Sequence, residues 1–489
     1  MSQSKTTAKA RPRSRRVLYL IAALVVLVAG ICLCADRQRS GDMYLLLFSG
    51  RYVVDHGLVS HDPFPTIEHG AEWLNQQWLS EVAFYATYKV IGITGITVLY
   101  TIVLALPLGV ALALIRRKST AALVVLTALY VPGLLAIIHP RAAGFTLLLF
   151  SLLLVAVAAA CDLVPLPGRM RVRPLWAIVP IPLLFALWAN LHGGFIAGLV
   201  LIGLVVAGLI IDRWRGIRGT VEPRLIFGLA ASGALAVAVV TFATPLGIDL
   251  WSYVASFRNS ALSVASTEWE PVTQSVAGTA YVVLAACVGV WLWWHTSRPR
   301  ALMPALVTAG LLVFAAASMR NIIFVGPALV LQMVAALPDR AAEPSRLVLA
   351  AASAVAAVSL AVFAVLGPAD NEHVGYPAVQ YAIDHPPADG RIAAYAGPSS
   401  YILWRRPETR VVIDGWLEHF TATQLRGNFG LLHGTIEDPG PVVRRLDVGA
   451  VIAHIPEAVE RLEDDGFEAK FTGPDGTYLV RPAAAGRGG

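Results

Sequence analysis

The sequence predicts an all-α polytopic membrane protein of about eleven spanning helices, followed by a small C-terminal α/β domain on the extracytoplasmic side. Three observations predict it. The 489 residues are 56% hydrophobic and 14% charged, with a mean hydropathy of +0.65, too apolar for a water-soluble globule. Apolar runs long enough to cross a bilayer recur along the chain. Basic residues fall in every second connection between those runs. The pI near 9.2 does not indicate nucleic acid, because the basic residues form short clusters without a stripe or interleaved aromatics. Cys32, Cys34, Cys161 and Cys287 lie in or beside apolar runs and set up neither a disulfide framework nor a metal knuckle.

The first run, 17–35, follows a basic cytoplasmic tail (residues 1–16) holding Lys5, Lys9, Arg11, Arg13, Arg15 and Arg16. It is long for a signal peptide and has no clear small-x-small cleavage site, so it reads as an uncleaved helix. Further runs occupy 94–115, 120–138, 143–163, 175–189, 194–211, 225–243, 277–294, 301–317, 321–337 and 347–366. Together they make a transmembrane unit over residues 17–367. Lysine and arginine are retained on the cytoplasmic side during insertion. Twenty of them lie in the N-terminal tail and in alternate loops, around 116–118, 169–173, 213–224, 298–300 and 340–346. The other loops hold seven: Arg37, Arg39, Arg51, Lys89, Arg141, Arg258 and Arg320. This phase puts the N-terminus in the cytoplasm, the chain in the cell (plasma) membrane, and residues 368–489 outside.

Two outer loops are longer than a helix connection needs. The first, 36–93, carries Asp42, Asp55, Asp62, Glu68, Glu72 and Glu81 with Trp73 and Trp78, and its part 78–90 has the spacing of a helix lying along the interface. The second, 244–276, carries Asp249, Trp251, Arg258, Glu268, Trp269 and Glu270. In the tail, 391–396, 410–413, 448–454, 468–472 and 477–481 read as strands, with helical stretches at 376–384, 421–432, 441–446 and 456–463 between them. Strands alternating with helices imply a small α/β layer domain.

Chemistry concentrates in the outer loops, and each candidate has a plainer reading beside it. Asp42, just past the first span, serves either as a base or as the N-cap of a helix starting at Met43. Asp62, in His61-Asp62-Pro63, suits a catalytic carboxylate or a turn before proline. Arg141, after His139-Pro140, and Arg320, between two apolar runs, can hold a phosphate bidentately or anchor helices at the interface. Asn190 and His192 interrupt an apolar stretch before Gly193-Gly194, as a polar hairpin or as ligand contacts. Glu268 and Glu270 flank Trp269 and suit an acceptor or a divalent cation such as Mg or Mn, although two carboxylates alone are a weak metal signal. Carboxylates, arginines and aromatics thus converge on one face, which suits a reaction between a lipid-borne substrate and something outside. Asp414, in Ile413-Asp414-Gly415-Trp416, ends an expected strand as a ligand contact or a turn residue.

These features resemble the GT-C superfamily of membrane glycosyltransferases, the polyprenyl-phosphate-sugar-dependent enzymes that include protein mannosyltransferases and lipid A aminoarabinose transferases. The resemblance rests on a first helix and a long outer loop with an early aspartate. It rests also on Gly50-Arg51-Tyr52-Val53-Val54-Asp55-His56-Gly57, Asp62-Pro63-Phe64, Glu72-Trp73 and Trp78-Leu79-Ser80-Glu81. Pro140-Arg141, Asn190-Leu191-His192-Gly193-Gly194, Thr244-Pro245-Leu246-Gly247, Glu268-Trp269, Arg320 and a soluble C-terminal domain fit a divergent bacterial branch. Where many members carry a second carboxylate beside the first, Met43 and Tyr44 follow Asp42 here. The resemblance implies sugar transfer from a polyprenyl-phosphate donor to a cell-envelope glycan, lipid or protein acceptor. In it Asp42 is the base, Asp62 its alternate, Arg141, Arg320 and His192 bind the donor phosphate, and Glu268 or Glu270 serves the acceptor or a metal. Two other classes stay open: a lipid or small-molecule transporter or flippase, and a non-catalytic envelope assembly protein. Against a transporter, the spans show little internal symmetry and no ionisable residue deep inside one.

Overall fold

A computed structural model of the chain describes residues 40–115, 118, 120–163, 178–217, 222–256, 267–296, 300–339, 377–474 and 476–482. The spans expected at 17–35 and 347–366, and the arginine clusters at 169–173 and 340–346, lie outside these residues. The described helices before the tail domain are α1 (Gly41–His56), α2 (Trp78–Ile115), α3 (Thr120–Leu135), α4 (Ala143–Ala160), α5 (Ile181–Leu191), α6 (Phe195–Trp214), α7 (Pro223–Ala243), α8 (Asp249–Ser256), α9 (Val276–His295), α10 (Met303–Ala317) and α11 (Val325–Ala336).

Among the described residues six helices, not eleven, are long and apolar enough to cross a membrane: α2, α4, α6, α7, α9 and Met319–Ala336, which joins a 3-10 turn to α11. Two of the other five lie outside the described residues, and glycine and proline shorten the remaining three. Helix α5 is held to 11 residues between Pro180 and the His192-Gly193-Gly194 turn. Helix α10 starts only at Met303, beside Pro304, and runs for 15 residues. Helix α3 stops at Leu135 after 16 residues, ahead of His139-Pro140, where a helical backbone would meet the proline ring. In α2, Gly92 (φ 69°, ψ −158°) breaks the helical backbone, so the stretch expected along the interface and the span after it are two helices on either side of a kink. Asp212, at the end of α6, caps α10 by accepting from the backbone N–H groups of Leu302 (2.6 Å) and Met303 (2.9 Å).

Helix α1 is buried from Met43 to Gly50 and packs against α2. Gly50 is what lets them touch, since a Cβ there would run into the Glu81 carbonyl. Its other neighbour is the tail domain, made of α12 (Pro377–Asp384), β1 (Arg391–Ala393), α13 (Ala396–Arg405), α14 (Ala422–His433), α15 (Gly440–Leu446), β2 (Val448–Ala453), α16 (Pro456–Asp464), β3 (Glu468–Gly473) and β4 (Gly476–Val480). The sheet order is β1-β2-β4-β3, with β1 and β2 parallel and the other pairs antiparallel. The expected strand at 410–413 is reduced to a bridge between Ile392 and Val411. Its other edge is taken by the first outer loop, where Val411 N donates to Pro65 O at 3.1 Å and Ile67 N to Val412 O at 3.3 Å. Helix α13, which the alternation of strands and helices did not reveal, docks on α1. Arg51 donates to the carbonyls of Trp404 and Leu403, and Trp416 Nε1 to Ser49 Oγ at 3.1 Å. The first long loop and the tail domain therefore meet on one face, where Tyr253 of the second loop also donates to Glu418 of the tail.

Candidate functional site

The centre of that face is an arginine between two carboxylates. Arg141 Nη2 lies 2.5 Å from Asp42 Oδ2, and Nη1 lies 2.6 Å from Glu268 Oε1. Asp42 is free for this because it is not the N-cap of α1. Ser40 is, accepting from Met43 N at 3.3 Å, and Asp42 sits within the first turn where the helix dipole favours an anion. Arg141 immediately precedes α4, after Pro140. Glu268 lies on a 3-10 turn, Thr267–Trp269, fastened to the Arg320 segment: Ser318 Oγ donates to Glu268 O (2.9 Å) and Met319 N to Glu270 O (3.0 Å). The Arg320 guanidinium stacks over the Trp269 ring, 4.2 Å from its centre. Burial alone would lower the pKa of Arg141, but the Asp42 and Glu268 carboxylates hold it well above the ordinary arginine range. Burial pushes Glu268 up, and Arg141 and Arg320 overcome it, leaving its pKa below the usual glutamate value.

His192 joins the two arginines. Its Nδ1 accepts from Gly194 N at 3.0 Å and lies 2.8 Å from Thr146 Oγ1, which itself accepts from Trp188 Nε1 at 2.9 Å. A nitrogen that accepts a backbone N–H carries no proton, so this network assigns the proton to Nε2. Burial, then Arg320 and Arg141, drive its pKa down to about 3. His192 is thus a neutral N–H donor beside two cations. Asn190 serves the hairpin, accepting from Trp78 Nε1 (2.8 Å) and donating to Ala186 O and Ala243 O.

Two sequence candidates lie apart. Asp62 closes a turn: Oδ1 accepts from Phe64 N (2.9 Å) and Oδ2 from the Thr66 hydroxyl (3.3 Å). Burial raises its pKa to about 6, and His69, Glu68 and Asp414 lie within charge–charge range of it. Asp414 also closes a turn, accepting from Trp416 N at 2.8 Å; burial and then Asp62 raise its pKa well above the carboxylate range. Glu270 makes no ion pair with the described residues. Among the described residues no three His, Cys, Asp or Glu side chains converge as metal ligands. The Arg141 guanidinium already compensates Asp42 and Glu268, so a divalent cation between them requires Arg141 to withdraw.

Two residues here do not stand out in the sequence. Glu418, on the tail domain's 3-10 turn Leu417–His419, accepts from Tyr253 Oη of α8 at 3.1 Å. It lies within charge–charge range of Arg320 and Asp42, and burial raises its pKa. Glu81, counted only as a loop acid, is fully buried against Asn75, whose Nδ2 donates to Oε2 at 2.8 Å. Nothing local marks Glu418, because its partner Tyr253 is distant in sequence. A glutamate buried in the first turn of an otherwise apolar helix was the available signal for Glu81.

No family model and no curated protein matches the chain. Solved structures do. An archaeal oligosaccharyltransferase, AglB from Archaeoglobus fulgidus, in complex with an inhibitory peptide and a dolichol-phosphate, matches with a TM-score of 0.55 at 11% identity, over 96% of this chain and 74% of that one. The Archaeoglobus fulgidus oligosaccharyltransferase in the apo form gives 0.52 at 12%, over 95% and 74%. The chain shares its overall fold with this enzyme. ArnT from Cupriavidus metallidurans, bound to undecaprenyl phosphate, matches at 0.46 and 15% identity, over 93% of this chain and 88% of that one. At such identities the likeness shows a shared fold alone, and chemistry has to be argued from the site.

Proposed function

We propose that the chain is a membrane glycosyltransferase that moves a sugar from a polyprenyl-phosphate donor to a cell-envelope glycan, lipid or protein acceptor. The reaction takes place on the face where the two long loops and the tail domain meet, the face that the basic loops put outside. The observation that carries the reading is the Asp42–Arg141–Glu268 bridge beside Arg320 and neutral His192. It pairs a candidate base with a group of cations and N–H donors suited to a phosphate. The fold it shares with an oligosaccharyltransferase solved with a dolichol-phosphate supports it.

In this mechanism the acceptor hydroxyl oxygen attacks the anomeric carbon as its proton passes to the Asp42 carboxylate. The bond from that carbon to the phosphate oxygen breaks, and its electron pair leaves with polyprenyl phosphate. Charge developing on the phosphate meets Arg320, His192 Nε2–H and Arg141 Nε, a buried N–H with no partner among the described residues. Glu268 keeps Arg141 aligned. No step is routed through a metal. The test is a radiolabelled polyprenyl-phosphate sugar in proteoliposomes holding the full chain. Cleavage of donor without net movement across the bilayer supports the transferase; movement of intact donor supports the transporter.

A further inference from the structure

The site is polarised in a way that bears on the acceptor. One flank holds Arg141, Arg320 and His192. The other holds Glu418, Tyr253, Glu81 and Asn75. Glu418 is only half-buried and reaches across from the tail domain to the Tyr253 hydroxyl, so the turn that carries it forms part of the wall. Behind it, Glu81 lies close enough for the two carboxyls to influence each other. Glu81 Oε1 and Asn75 Oδ1 are buried and have no hydrogen-bond partner among the described residues, and Trp73 Nε1, also buried, has none among them either. Trp73 meets Trp416 and His419 edge to face, on either side of Glu418 in the tail turn, with ring centres 5.8 and 6.4 Å away. Buried polar atoms are rarely left unpaired, and these need partners able both to donate and to accept.

We infer that Glu418 and Tyr253, backed by Glu81 and Asn75, form an acceptor subsite for a neutral, hydroxyl-rich group, a sugar ring, and exclude an anionic one. Hydroxyl groups donate to the carboxyl and amide oxygens and accept from Trp73 Nε1. A carboxylate or phosphate on the acceptor meets the Glu418 carboxyl and supplies no proton to it. This inference rests on the glycosyl-transfer reading of the same face. It divides the labour between the flanks, with phosphate on the arginine side and hydroxyls on the glutamate side.

The test is a binding measurement that needs no donor. The full chain in lipid nanodiscs is titrated with methyl glucoside and, separately, methyl glucuronide, followed by ligand-observed NMR. The expected result is a glucoside affinity about tenfold above that of the glucuronide, the order of one charge-assisted contact. In Glu418→Gln the amide oxygen still accepts from Tyr253, so a purely structural role is rescued. The preference should nevertheless shrink to about threefold or less, while Glu408→Gln, at an exposed surface pair with Arg406, keeps it. If Glu418→Gln is poorly folded, Tyr253→Phe replaces it and should weaken glucoside binding about threefold. Equal binding of the two glycosides by wild type, no binding of either, or an unchanged preference in the variant overturns the subsite. Failure of wild type to cleave donor, with the glycoside preference intact, sinks the transferase and leaves the sugar-binding subsite standing.

Discussion

Replacing Arg141 with lysine keeps the charge and removes the fork. In the wild type two different nitrogens reach two carboxylates, at 2.5 and 2.6 Å, and one ammonium on a flexible stem cannot reproduce both. One charge-assisted bond is worth about 1.5–3 kcal/mol. The Asp42 and Glu268 side chains are 35% and 40% exposed, so water screens the pair and the net cost comes to roughly 1 kcal/mol. Glu268 has a folded pKa below its ordinary value of 4.5. Its contribution is therefore full above that value and is lost as pH falls through the folded pKa. The gap between Arg141→Lys and wild type, read by thermal unfolding in nanodiscs, should be widest near neutrality and close in acid. Donor turnover should drop further than stability, by about a hundredfold, as for loss of one donor to a developing oxyanion. Wild-type turnover in Arg141→Lys, or a stability gap that widens in acid, would show that the guanidinium fork between Asp42 and Glu268 does not have this role.

Gly50→Ala should cost about 1–3 kcal/mol, as overpacking does, because its Cβ meets the Glu81 backbone across the α1–α2 contact; urea or thermal unfolding reads this out. Cysteines placed at exposed Ser60 and Glu408, with the four native cysteines removed, should both react with an impermeant thiol reagent in intact cells. Labelling at one alone contradicts their shared face, and labelling at neither reverses the topology. Ser399, in the same domain, is fully buried and would stay silent in either topology. Treatment with EDTA should leave donor cleavage within about twofold, since Arg141 already balances Asp42 and Glu268; loss that Mn restores would show that Arg141 gives way to a cation.

The pieces of the site were legible because charge is costly near hydrocarbon and has to be explained wherever it occurs. Asp42, Arg141, Glu268, His192 and Arg320 stood out against apolar surroundings, and the structure groups them. Their pairing was not legible, since Asp42, Arg141 and Glu268 come from three separated segments. Asp62 has the same chemistry as Asp42, and only the Phe64 and Thr66 contacts reveal a turn residue. Three of the expected spans are shortened for a local reason. Hydropathy registers apolar length but not where Pro304 or Gly193-Gly194 starts or stops a helix. In the tail, β2, β3 and β4 followed from alternation, whereas 410–413 has its edge taken by a loop some 345 residues away.

In the proposed reaction Asp42 is the base for sugar transfer from a polyprenyl-phosphate donor. Because Ser40 caps α1, Asp42→Asn removes the basic oxygen without uncapping the helix, and the amide can still face Arg141. The measurement is the rate of polyprenyl-phosphate release from labelled donor in proteoliposomes, for wild type, Asp42→Asn and the exposed control Asp55→Asn on the same helix. Release by wild type and by Asp55→Asn, with Asp42→Asn slower by about a hundredfold or more, is the predicted result. Equal release by Asp42→Asn and wild type contradicts it, as does intact donor recovered from all three.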